Sequence, residues 1–152
     1  MKNTFGLLIL ALLAPSAGQA QPAPYKPGLG DLMTMLVQPR HTKLGLAGQA
    51  GNWAYAGYEL HELQESFDKV ARLTPKWRDF AVAETMEAVT KPPMAALSEA
   101  IKASDAAGFT RAYKELTEAC NLCHTSAGPS MIVIQAPSGA PFPDQDFRPV
   151  KQ

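Results

Sequence analysis

The 152-residue chain carries 14 Lys and Arg against 14 Asp and Glu, a formal net charge of zero, and 46% of its residues are apolar. That length supports one compact domain with a real core, and the balanced charge excludes a basic nucleic-acid binder, an acidic tail and an intrinsically disordered chain. The two cysteines, Cys120 and Cys123, are too few for a disulfide-built scaffold and read as a site.

Lys2, an apolar run from Phe5 to Leu13 and small residues up to Ala20 read as a cleaved secretory signal over residues 1–20, with Gln21 as the new N-terminus. The run is far shorter than the roughly 20 residues that span a bilayer, and no later run is longer. A soluble exported protein with no membrane span is expected, periplasmic in a bacterium. Residues 21–30 hold three Pro and two Gly and are predicted to be an irregular leader. From Asp31 the pattern is helical, with Met33, Val37, His41 and Leu44 on one face; Pro39 inside it either kinks the helix or begins a new one. A turn is predicted near Gly48 to Asn52, the latter a candidate cap. Trp53, Ala56, Leu60, Leu63, Phe67 and Val70 then alternate steps of three and four, a packed helix with a narrow seam. Glu59, Glu62 and Lys69 lie outside the seam and read as solvated.

Thr74 and Pro75 predict the start of a third helix containing Trp77, Phe80, Ala81 and Val89, interrupted at Lys91, Pro92 and Pro93. Met94, Leu97 and Ile101 resume a helical stripe, and Asp105 can cap the last helix. Its stripe is Phe109, Ala112 or Tyr113, Leu116, Ala119 or Cys120, and Cys123, which places the cysteines at a helix end. Residues 127–152 hold five prolines and read as an irregular tail, with Met131 to Ile134 as a short stretch docking on the body. The expected fold is all-α: a four-helix bundle, up-down-up-down, over residues 31–126, with the tail packing on it.

Cys120, Asn121, Leu122, Cys123 and His124 form C-x-x-C-H, the pattern of covalent c-type haem attachment. Two thiols one helical turn apart can each add to a vinyl group on one haem edge, and the following imidazole then lies under the iron as an axial ligand. Three rivals fit less well. A thioredoxin-like pair belongs at a helix start in an α/β pattern. A zinc site needs a further ligand such as His41 or His61, at no usual spacing. A bare disulfide leaves His124 without a role.

The last helix, AAGFTRAYKELTEACNLCH, resembles that of the cytochrome c-prime family, in which an amphipathic helix leads into C-x-x-C-H near the C-terminus. The resemblance is specific over residues 106–124, and the order of signal, four helices and haem motif agrees. It implies a periplasmic four-helix-bundle cytochrome with one covalently bound haem c, held by Cys120 and Cys123 with His124 as proximal iron ligand. The family usually ends soon after the motif with a basic residue; here a Pro-rich tail follows, expected to cover one haem edge.

The resemblance also implies a residue of the first helix facing the iron's open side. The candidates are His41, with Met35 or Met33 as alternatives, and an open or Leu44-blocked site. Arg40 is the candidate partner of a haem propionate, as a basic residue near this position is in the family. His61 reads as exposed, and Met131 would need a sharp reversal to reach the iron. Electron transfer with a redox partner protein is the expected function, without enzymatic turnover. Binding or sensing of NO or CO at five-coordinate iron is the alternative, and a haem-free structural module a third reading. Homodimerisation stays open, and no nucleic-acid partner is expected.

Overall fold

A carboxylate starts the first helix. In the computed structural model, which describes residues 25–139 and 141–150, Asp31 Oδ2 accepts from the Gly28 N–H at 3.1 Å and from the Tyr25 hydroxyl at 2.9 Å. It thereby pairs a donor at the positive end of the helix. The expected signal sequence, residues 1–20, lies outside the described residues. Helix α1 is continuous but changes its winding, from an α-helical turn, Leu29–Leu32, through a π-helical segment, Met33–Val37, into α-helix Gln38–Gln49. The chain neither breaks nor restarts at Pro39. Proline lacks an N–H and its ring crowds the carbonyl four residues back. The widened turn just before it, in which the Gln38 N–H reaches the Met33 carbonyl, accommodates both effects.

Helix α2, Trp53–Leu73, begins where expected, with the Asn52 side chain accepting from the Tyr55 N–H at 3.2 Å. Its seam buries Ala56, Leu63, Phe67 and Val70 and half-buries Trp53 and Leu60. Glu59 corrects the expectation of a solvated surface, because it is only 1% exposed. Arg40 of α1 reaches it with Nη1 at 3.2 and 3.3 Å from its two oxygens and gives Nη2 to Glu62 at 3.0 Å. A buried carboxylate persists only with such a partner.

Helix α3, Val82–Lys102, begins well after Thr74 and Pro75, which open a turn rather than a helix. Between them Trp77 and Phe80 exchange two backbone hydrogen bonds of 3.0 Å, folding the connection back on itself. Nor is there an interruption at Pro92 and Pro93, both of which lie inside the helix. Pro93 is buried in the same stripe as Met86, Thr90, Met94, Leu97 and Ile101, so tertiary packing outweighs the missing donors. Helix α4, Ala106–Ala127, is capped by Asp105, whose side chain accepts from the Ala107 N–H at 3.0 Å. It runs a turn past the cysteines and ends at Gly128, whose φ of 110° is a left-handed conformation natural to glycine.

Each helix packs on the next, and α4 returns to α1, closing an all-α four-helix bundle. The last contact is antiparallel: His41 meets Thr117, Gly45 meets Tyr113 and Gly48 meets Phe109. Among the described residues no helix is long and apolar enough to cross a membrane. The two glycines let the backbone of α1 approach aromatic rings directly, and a methyl group at Gly48 would overlap the Phe109 ring. Gly48→Ala should therefore cost roughly 1–3 kcal/mol in urea unfolding, against the small gain the same change brings in an open helix.

Candidate functional site

The tight seam between α1 and α4 ends at His41. Beyond it a cavity of about 400 Å³ opens among the first turns of α1, the end of α2, the start of α3, the last turns of α4 and the tail. Its lining is largely apolar, with Met33, Val37, Phe67, Phe80 and Met86 on the bundle side. Cys120, Cys123 and His124 form one wall, and Ile132 to Gln135 of the tail line it as well. Of the stretch 131–134 expected to dock, residues 132–134 lie beside the motif and Met131 does not.

Both cysteines are free thiols and half-buried. Burial pushes the Cys120 thiol up to about 11 and raises Cys123 as well, so both are protonated at neutral pH. Their place near the helix C-terminus, where the backbone dipole disfavours an anion, acts in the same direction. A thiolate-based redox pair or zinc site wants the opposite environment. His61, a candidate fourth zinc ligand, lies on the surface with Nε2 3.5 Å from Glu65.

His124 Nδ1 is 2.8 Å from the backbone carbonyl of Ile132. A carbonyl only accepts, so Nδ1 carries a proton, and in the neutral ring the lone pair is then on Nε2. This second contact is the usual companion of a metal-ligating histidine: it fixes the tautomer and ring orientation. Asn121, inside the motif, holds the tail in register by pairing with both backbone groups of Ile134. It donates Nδ2–H to the carbonyl at 2.9 Å and accepts the N–H on Oδ1 at 2.7 Å. Sequence reading missed this role, and its only visible signal was a side chain with both donor and acceptor one turn from His124.

His41 lines the cavity, but both its ring nitrogens are engaged. The Thr117 hydroxyl donates to the Tyr113 carbonyl at 2.9 Å, so its oxygen accepts His41 Nε2–H at 3.1 Å. The Tyr113 hydroxyl then shares its single proton between the His41 carbonyl at 2.8 Å and the His41 Nδ1 at 3.0 Å. As the structure stands, His41 offers no free nitrogen to a ligand in the cavity. Met35, its alternative, is 58% exposed and does not line the cavity, whereas Met33 does. Leu44 is fully buried in the core, away from the lining. Arg40, the candidate propionate partner, is paired with Glu59 and Glu62 on α2 and does not line the cavity. Met131 is 82% exposed.

Compared with known protein families, curated proteins and solved structures, the chain matches none.

Burial alone holds the His41 pKa down at about 4. The unfolded chain takes up that proton near pH 6.5 and the folded chain only near 4. The resulting stability is whole above pH 6.5 and is lost as the pH falls to 4, about 3 kcal/mol in all. Urea unfolding between pH 4 and 7 should show this slope, and His41→Gln should flatten it whatever the absolute stability; an equal slope in both proteins would refute the assignment.

Proposed function

We propose that this chain is an exported monohaem c-type cytochrome that transfers electrons to or from a partner protein. Cys120 and Cys123 would each add a thiol across one vinyl group of a haem, and His124 would bind its iron through Nε2. The carrying observation is the state of His124. Its Nδ1 proton is committed to the Ile132 carbonyl and its Nε2 lone pair is free, on the same cavity wall as two neutral thiols one helical turn apart. The cavity fits the group: it is apolar, and its volume lies in the range of roughly 300–1,000 Å³ usual for ligand sites.

A haem held there supplies a one-electron iron couple. The chain supplies the rest: thioether anchors, an oriented imidazole, and apolar burial by Met33, Val37, Phe67 and Phe80 that excludes water. Covalent haem attachment belongs to exported chains, in keeping with the signal-like residues 1–20.

A second reading, binding of small gases at the sixth iron position, is favoured by one observation. Both nitrogens of His41 are hydrogen-bonded and Met35 faces solvent, so neither foremost distal candidate presents a ligand atom as folded.

The full chain, produced in a periplasm with c-type maturation, should retain one haem through denaturation, read by intact mass. Cys120→Ala or Cys123→Ala should each leave one thioether and the double variant none. A wild-type chain without a haem adduct would contradict the proposal. On the same holoprotein, a reduced α band unchanged by carbon monoxide supports the electron carrier, and a band that shifts supports gas binding.

A further inference from the structure

The tail and Asn121 together form a device that acts on His124. Asn121 and His124 are three residues apart on α4 and share a face. Ile132 and Ile134, two apart in the tail, both turn their carbonyls to that face, since each accepts a hydrogen bond from it. The reversal between helix and tail is built from Gly128 in its left-handed conformation and a turn in which the Ile132 N–H reaches the Pro129 carbonyl at 2.9 Å. Among the described residues, apart from the His124 bond itself, no regular structure and no other hydrogen bond from α4 holds residues 132–134 at this register. The paired amide of Asn121 therefore determines where the Ile132 carbonyl stands.

We infer that Asn121 is a positioning residue for the haem iron: by clamping Ile134 it presents the Ile132 carbonyl to His124 Nδ1–H and so sets the basicity of the iron's imidazole ligand. The inference rests on the haem reading above and adds to it a residue of the motif's interior and a function for the tail. A hydrogen bond from Nδ1 raises the electron density at Nε2, which stabilises ferric over ferrous iron. Without it the reduced state gains.

Two variants break the clamp from opposite sides. Asn121→Ala removes the amide from α4. Ile134→Pro removes the donor to Oδ1 from the tail and leaves the helix and the haem motif untouched. In the full-length holoprotein each should shift the ferric–ferrous equilibrium toward ferrous by about tenfold, which is about 59 mV for one electron. Each should also lower the iron–histidine stretching frequency of the five-coordinate ferrous form, prepared, where a sixth ligand binds, by photodissociation of that ligand itself. The double variant should move no further than either single one, because both cut the same link.

Unchanged potential and stretching frequency in Asn121→Ala, with haem attached, would overturn the inference, as would fully additive effects in the double variant. Should Asn121→Ala prevent maturation, Ile134→Pro alone decides between the same outcomes. Failure of the cytochrome reading itself looks different, since the wild-type chain would then carry no haem.

Discussion

Helix α1 presents no side chain to α4 at Gly45 and Gly48, and the shape of the molecule follows from that approach. The rings of Tyr113 and Phe109 occupy the space where two side chains would otherwise stand. They stack on each other at 5.8 Å, and Trp53 meets Phe109 edge-on at 5.9 Å, tying the start of α2 into the same cluster. Held together at this end, the two helices are bridged a last time by His41. The cavity occupies the space beyond, where α1 passes through its π-helical turn and α4 carries the cysteines. Site and seam are thus two ends of one helix pair.

The two histidines of this pair differ in what their surroundings leave them. His41 is buried, neutral and bonded through both nitrogens, a satisfied core group in a network with Tyr113 and Thr117. His124 is half-buried and bonded through one nitrogen only, to a carbonyl that can accept but never donate. A lone pair is therefore available on the second ring and not on the first. The same residue type on facing helices has both ring nitrogens paired in one case and one in the other, and hydrogen-bond chemistry alone separates them.

Local features of the chain were legible from its residues. Asn52 and Asp105 cap the helices they precede, the stripes at steps of three and four are buried, and C-x-x-C-H puts two thiols and an imidazole on one wall. What escaped depends on partners distant in sequence. Glu59 stands one step off its seam and reads as solvated until Arg40 arrives from α1. Periodicity gave His41 the right face but could not foresee that Thr117 and Tyr113 would take both its nitrogens. Pro92 and Pro93 suggest a break because their missing donors are visible in the sequence, while the packing of Pro93 and Met94 is not. Asn121 pairs with main-chain atoms of Ile134, which leave no mark in any side-chain pattern.

The tail turns a helix end into a site. Without the carbonyl of Ile132, His124 would be an imidazole in the last turn of a helix, free to adopt either tautomer and more than one rotamer. With it, the ring has one orientation and one available nitrogen, and the tail residues that achieve this also line the cavity. The central claim is thus that His124 holds its proton on Nδ1 and its lone pair on Nε2 before any ligand is bound. Nitrogen-15 chemical shifts of the His124 ring in the full-length chain at pH 7, recorded with no ligand bound, test it directly. A protonated Nδ1 with an unprotonated Nε2 is the predicted result, and a ring carrying its proton on Nε2 would contradict the account.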